Sequence, residues 1–195
     1  MNQVILESTL ILVAGLFFVA GNLAQLIRLI KTRDRKGLSA PNQALNASGN
    51  VAWIVYFITQ HHALPVITNA LMCITLIATL GFTLANKVIF IRSIAAVIFI
   101  GGGIAAAIIT LPAYAGWIGV ACNTIAMMPW IIRIIYTKKT SGLSERALYL
   151  GTGAILCSAA YAVLIESTPL LVGNLLGLIG NGIALRYCYT YRYRS

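Results

Sequence analysis

The sequence predicts an all-α membrane protein with seven transmembrane helices, arranged as two parallel three-helix bundles joined by a linker helix. Three observations predict this fold: an apolar composition, an internal repeat, and basic residues confined to one side. Of the 195 residues, 59% are hydrophobic and 9% are charged, whereas soluble domains carry about 25% charged residues. The net charge of +10 lies in short loops between apolar runs. Membrane topology explains such loops, so binding to nucleic acid is not predicted.

Each predicted helix is one apolar run near the length of roughly 20 residues that crosses a bilayer. No strand-like alternation is present in these runs, and only helices or closed barrels span membranes. The first run has no basic residues ahead of it, so no cleavable signal peptide is predicted. The predicted helices are Ile5–Ile30, Pro41–Thr59, Pro65–Ala85, Ser93–Leu111, Trp117–Tyr136, Ala147–Ile165 and Pro169–Tyr189.

An internal repeat relates the two ends of the chain. The segment from Gln25 to Tyr56 returns, diverged and without a gap, 105 positions later from Trp130 to Tyr161. The matching pairs are Arg28 and Arg133, Thr32 and Thr137, Gly37-Leu38-Ser39 and Gly142-Leu143-Ser144, and Asn69 and Asn174. Repeats over whole hydrophobic segments indicate two structural halves, and membrane carriers built in this way usually bind substrate between the halves.

The basic residues predict the orientation. All 14 flank alternate loops or the C-terminus, and the opposite loops carry none. The basic positions are Arg28, Lys31, Arg33, Arg35, Lys36, Lys87, Arg92, Arg133, Lys138, Lys139, Arg146, Arg186, Arg192 and Arg194. The positive-inside rule therefore places the N-terminus outside and the C-terminus in the cytoplasm, with the cell (inner) membrane favoured.

Two parallel halves require an odd number of helices. Both G-L-S loops are expected on the same side, so a three-helix unit that starts outside and ends inside needs one extra crossing before its copy. The predicted division is residues 1–90 for the first three-helix repeat, 91–113 for the linker helix, and 114–195 for the second repeat with a short cytoplasmic tail.

The repeated motif resembles the PQ-loop/SWEET (MtN3-like) transporter family. The first copy reads Q-x-x-R-x-x-K-T, then G-L-S, then N-x-A-W-x-x-Y, and the second copy keeps the spacing. The resemblance implies two three-helix bundles with helix order 1-3-2 in each, and transport of small solutes, either sugars or amino acids. The family's Pro-Gln pair stands here as Ala24-Gln25 and Pro129-Trp130, so neither copy is intact.

A polar and aromatic stripe predicts the binding site. Gln43, Asn46, Asn50, Trp53 and Phe57 recur at spacings of three and four, which places them on one helix face. Amides are unfavourable against lipid, so this face is expected to contact protein or a wet cavity. For Gln43 and Asn46 a purely structural role stays open, whereas Asn50 and Trp53 are predicted to bind solute.

The other predicted binding residues are Asn69 from the first half and Ser158, Asn174 and Asn181 from the second half. Asn69 and Asn174 are repeat mates, and the family resemblance implies that these asparagines contact the solute. Asn181 follows Asn174 at i+7, on the same helix face, and Ser158 occupies the position that matches Trp53. Amides exchange hydrogen bonds with hydroxyls, and an indole face covers the C–H face of a sugar.

Gating is predicted for residues near the helix ends. Proline in a spanning helix frees a carbonyl and permits bending, so Pro41 and Pro129 are candidate hinges. Gln25, Tyr56 and Tyr161 complete the predicted gating set.

These features predict a uniporter for a small neutral solute, with a sugar favoured and no cofactor or metal. The four carboxylates, Glu7, Asp34, Glu145 and Glu166, are expected outside the spans, which disfavours proton coupling. The two histidines, His61 and His62, are expected to be solvated. An amino-acid or vitamin carrier is the alternative, and a non-transporting receptor of the same fold is a third. No enzyme is predicted, and the expected partners are the solute and the lipid bilayer, with homo-oligomerisation left open.

Overall fold

The structure, a computed structural model, describes residues 3–32, 40–84, 101–138 and 145–192. Within these ranges the chain consists of helices and the short turns between them, without strands. The helices are α1 (Gln3–Thr32), α2 (Ala40–Thr59), α3 (Ala63–Leu84), α4 (Gly101–Thr110), the 3-10 helix η1 (Pro112–Tyr114), α5 (Ala115–Thr137), α6 (Glu145–Leu164) and α7 (Thr168–Arg192). The prediction of an all-helical protein is confirmed.

The predicted bounds of six helices lie within three residues of those observed. For the predicted linker helix, Ser93–Leu111, the structure describes only the end of the segment, as α4. Residues 93–100 lie outside the described residues, as do both G-L-S segments of the repeat motif.

Most helices present large apolar side chains to the outside. Ile74, Ile77 and Ile179 are examples, each about 60% exposed. Five helical segments of the described chain are long and apolar enough to cross a membrane: Gln3–Lys31, Ala63–Phe82, Pro112–Tyr136, Glu145–Leu164 and Thr168–Tyr191. An apolar exterior of this extent is unusual for a soluble protein and supports the prediction of a multi-pass membrane protein.

Six helices form a closed ring. α3 packs against both α1 and α2, and α7 packs against both α5 and α6. Two further contacts, α1 with α6 and α2 with α5, close the ring. We call these two the cross contacts. α3 therefore lies between α1 and α2, and α7 lies between α5 and α6.

The turns after α2 and α6 repeat each other bond for bond. His61 and Glu166, which are 105 positions apart, both have positive φ, at 59° and 53°. The amide of His62 donates to Phe57 O at 2.9 Å, and that of Ser167 donates to Ala162 O at the same distance. A left-handed residue followed by a bond back to the last helical turn is a common helix end. The internal repeat, with its offset of 105 residues, therefore extends into these turns.

The two ends of the bundle are named by residues. The His62 end carries the turn at residues 60–62 and the turn at residues 165–167. The opposite Lys31 end is where α1 and α5 finish, at Thr32 and Thr137. Which end faces the cytoplasm stays a prediction, as does the division at residues 90 and 113.

Candidate functional site

A cavity of about 440 Å³ lies inside the ring of six helices, within the usual volume range of ligand pockets. None of the described residues that line it is charged. Its polar lining residues come from all six helices and are Asn22, Gln25, Asn46, Asn50, Thr68, Asn69, Asn123, Thr124, Ser158, Asn174 and Asn181. The cavity therefore offers many hydrogen-bonding groups and no full charge.

Trp53 forms an aromatic wall of the cavity. It belongs to α2, but its ring reaches across the cross contact to α5 and α7. A Cβ added to Gly119 would lie 2.9 Å from Trp53 Nε1, and one added to Gly173 would lie 3.6 Å from Trp53 Cζ2. The indole therefore rests on bare backbone, and only 6% of Trp53 is exposed. Phe57 stacks on it, with ring centroids 5.9 Å apart.

The amides beside Trp53 are held in fixed orientations. Asn174 Nδ2 donates to Ser158 Oγ at 3.0 Å, and both residues are buried. Asn69 Nδ2 donates to Pro65 O at 2.8 Å, and Asn50 Nδ2 donates to Asn46 O at 2.8 Å. Each of these bonds uses one amide hydrogen and leaves the amide oxygen as an acceptor.

All six predicted binding residues line this one cavity: Asn50, Trp53, Asn69, Ser158, Asn174 and Asn181. Their contact with a solute stays a prediction. The hydrogen bond between Ser158 and Asn174 was not anticipated, because the sequence shows only that Ser158 matches Trp53 in the repeat.

Sequence reasoning missed Asn22 and Asn123 and left Asn46 undecided. Asn123 lies against Gly49 of α2, and Asn22 Nδ2 donates to Phe18 O at 3.0 Å within α1. The signal that could have found them is the same one used for α2, namely an amide within an apolar run.

Two matching hydrogen bonds cross the ring at the His62 end of the cavity. Tyr56 OH and Ser167 Oγ lie 2.7 Å apart, and Tyr161 OH lies 3.1 Å from His62 Nδ1. Each bond joins α2 or its following turn to α6 or its following turn. We call this pair of bonds the tyrosine latch.

An apolar cluster lies beneath the tyrosine latch. Its buried members are Ile11, Trp53, Phe57, Val120, Tyr161, Ala162 and Leu170. Because these side chains come from α1, α2, α5, α6 and α7, the cluster joins both sides of the ring. Packing and hydrogen bonds together join the two sides of the ring at this end.

The expectation of two solvated histidines is wrong for His62. His61 is exposed, but His62 is half-buried, bonds to Tyr161 and packs edge-on against Phe57, with ring centroids 6.4 Å apart. The error arose because a short loop was expected to lie in solvent, whereas the left-handed turn at His61 directs the chain back onto the bundle.

The predicted gating residues lie at both ends of the bundle. Tyr56 and Tyr161 form the tyrosine latch, and Gln25 lines the cavity toward the Lys31 end. Pro41 is the second residue of α2, where proline breaks no helical hydrogen bond. Pro129 lies inside α5 with its side chain exposed. Their action as gates or hinges stays a prediction.

Two carboxylates lie inside helices, contrary to the expectation that all four lie outside the spans; for Glu7 that expectation also disagreed with the predicted helix Ile5–Ile30. Glu7 is in the second turn of α1, where its Oε1 accepts a hydrogen bond from Gln3 Nε2 at 2.9 Å, and Glu145 begins α6. Both fall within candidate membrane spans, although close to their ends. Neither lines the cavity.

Comparison with known proteins bears on the fold. No protein-family model matches the sequence, and no curated protein matches it. Among solved structures, that of a eukaryotic SWEET transporter is similar, with a TM-score of 0.71 and 14% sequence identity, over 96% of this chain and 99% of that chain. At this identity the likeness concerns architecture, and the chain has the fold of that SWEET transporter.

Proposed function

We propose that this protein is a membrane transporter that moves a small neutral solute, with a sugar favoured, by facilitated diffusion. The observation that carries the proposal is the cavity of about 440 Å³, lined by amides and an indole and by no charged residue in the described chain. The similar solved structure is a SWEET transporter, which adds support from the fold.

The chemistry of the cavity suits a polyhydroxyl solute. Amide oxygens of Asn50 and Asn69 accept hydrogen bonds from hydroxyls, while the remaining amide hydrogens donate. The ring of Trp53 offers an apolar face for C–H groups. A zwitterionic amino acid would bring two full charges into a site without a counter-charge, which is unfavourable at low dielectric.

The mechanism that we propose is alternating access between two three-helix repeats, residues 1–90 and 114–195, joined by the linker helix at 91–113. Support comes from the identical turns at His61 and Glu166 and from the matched bonds of the tyrosine latch. Rocking of one repeat against the other would open one end while closing the other. With the tyrosine latch made, the His62 end is closed.

Transport without ion coupling follows from the charge distribution. Proton-coupled carriers commonly place an ionisable group inside the membrane, on the substrate path. Here Glu7 and Glu145 lie near helix ends and away from the cavity lining. We place the N-terminus outside the cell and the C-terminus in the cytoplasm, on the basic residues of the Lys31 end.

Reconstitution into liposomes tests this function. Counterflow uptake would be measured with a panel of labelled sugars, neutral amino acids, charged amino acids and vitamins, with and without a pH gradient. We expect a sugar to equilibrate, to show no accumulation under the gradient, and to require Trp53. Uptake of only an amino acid or a vitamin would favour the alternative carrier, and concentrative uptake driven by protons would contradict uniport.

A further inference from the structure

A second group of amides lies on the Lys31 side of the predicted binding site. Asn22, Asn46, Asn123 and Asn181 come from four different helices, and all line the cavity. At the positions 105 residues away stand Met127, Gly151, Phe18 and Leu76, which have no polar side-chain atoms other than the sulfur of Met127. This inner amide group is therefore not a consequence of the internal repeat.

Helix geometry gives the depth of Asn181, a member of the inner amide group, relative to Asn174. Ser158 bonds Asn174, and seven residues further toward the Lys31 end on each helix, Gly151 lies against Asn181. A Cβ added to Gly151 would be 3.1 Å from Asn181 Nδ2. Seven residues of helix correspond to about 10 Å. Two polar levels, both on the α6–α7 side, thus follow one another along a single cavity.

The inner group contains hydrogen-bonding capacity that the protein does not use. Asn123 Oδ1 is buried without a hydrogen-bond partner, and the half-buried Asn181 lines the cavity. Unpaired buried amides are uncommon in proteins and call for an explanation. Unpaired amide atoms in a cavity wall favour a solute that forms hydrogen bonds with them and disfavour a solute that covers them with apolar groups.

We propose that the inner amide group is a second subsite, which binds an uncharged hydroxyl-bearing ring while a first ring lies beside Trp53 and Asn174. The proposal rests on the proposed function. A two-ring sugar spans the separation between the two levels, whereas a single ring occupies one of them. Asn181 is then the residue that distinguishes a two-ring from a one-ring solute.

Binding of glucose, maltose and sucrose to the purified full-length protein tests this subsite. We expect the wild-type protein to bind a two-ring sugar about five-fold or more tightly than glucose, as one extra hydrogen bond provides. Asn181→Leu installs the residue found at the matching position 76 and should weaken binding of the two-ring sugar about five-fold more than binding of glucose, which removes this preference. Gly151→Ala should act in the same direction, because its methyl would lie 3.1 Å from Asn181 Nδ2 and the amide must shift by a few tenths of an ångström.

Gly182→Ala is the matched control, since a Cβ there meets nothing within 4 Å and the preference should persist. Equal losses for glucose and the two-ring sugars in Asn181→Leu would overturn the subsite, as would a wild-type protein without preference. If no sugar binds to the wild-type protein, the proposed function itself fails, and the two failures are thereby distinguished. Should Asn181→Leu not fold, Gly151→Ala decides.

Discussion

Tyr161 and His62, 99 positions apart in the chain, lie with the phenol oxygen 3.1 Å from Nδ1 of the imidazole. The repeat mates of these two residues, Tyr56 and Ser167, make the corresponding bond at 2.7 Å. A tyrosine hydroxyl thus makes a hydrogen bond across the ring at both matching positions, once to an imidazole and once to a serine hydroxyl. The Ser167 hydroxyl is also within 3.4 Å of the Leu170 amide, where it caps the start of α7.

Removing one bond of the tyrosine latch should favour opening of the His62 end. We expect Tyr56→Phe to speed the modification of a reporter cysteine, Leu170→Cys, about five-fold, since a hydrogen bond contributes about 1 kcal/mol. The rate would be measured with a membrane-impermeant thiol reagent in a background without the native cysteines. Thr59→Val is the control, because within the described chain the Thr59 hydroxyl bonds only to Tyr56 O of its own helix. An unchanged rate in Tyr56→Phe would show that the tyrosine latch does not hold this end closed.

The glycine beneath Trp53 should be as important as the indole. Gly119→Ala places a methyl 2.9 Å from the ring, and overpacking of this kind costs about 1–3 kcal/mol. We expect solute affinity to fall at least five-fold as the indole is displaced, and Trp53→Ala to abolish most transport. Binding to purified protein checks this, with Gly103→Ala as control because its Cβ meets nothing. Normal affinity in Gly119→Ala would remove Trp53 from the predicted site.

The two matching asparagines should separate binding from stability. Asn69→Ala and Asn174→Ala should each weaken solute binding about five-fold. Asn174→Ala should also lower the free energy of unfolding by about 1–3 kcal/mol, because it leaves the buried Ser158 hydroxyl without its partner. Among the described residues, the Asn69 side chain bonds only to a carbonyl of its own helix, so its replacement should be nearly neutral for stability.

Thermal unfolding and binding of both variants would be compared with Thr75→Val. Thr75 is a buried α3 residue that bonds to Met72 O and does not line the cavity. Losses of stability in both asparagine variants, with normal affinity in the protein that remains folded, would assign the asparagines a purely structural role.

Thiol labelling of cysteines introduced at exposed positions tests the predicted orientation of the protein in the membrane. We expect His61→Cys and Glu166→Cys to label from outside the cell and Lys31→Cys to remain protected, because basic ends stay in the cytoplasm. His61, Glu166 and Lys31 are all exposed. Ser167 would be a poor reporter, since it is 5% exposed and hydrogen-bonded to Tyr56. Labelling of Lys31→Cys from outside would reverse the predicted topology.

The helices could be predicted from the sequence because lipid imposes a simple rule on each of them. An apolar run of bilayer length must satisfy its backbone within itself, so α1 and α7 were found to within three residues. The α2 helix was predicted by the same rule, although amides interrupt the first half of its apolar run. Those amides belong to the wall of the cavity and not to the lipid face.

The site was predictable where the repeat or a helical stripe marked it, as for Asn69 and Trp53. It was not predictable where a side chain acts through a neighbour far along the chain. The bond between Asn174 and Ser158 depends on how α6 and α7 pack, and the role of His62 depends on a turn of three residues. Asn123 becomes visible as a lining residue only once α5 is placed against α2.

The cross contacts are made where flat rings meet glycines. Phe17 lies over Gly153 between α1 and α6, while Trp53 and Tyr56 lie over Gly119 and Gly116 between α2 and α5. A ring on bare backbone meets no methyl group when the neighbouring helix tilts. We therefore expect the two halves to move against each other at the cross contacts without changes of side-chain rotamer. The main resistance to that movement then comes from the His62 end, where the two hydrogen bonds of the tyrosine latch join the halves.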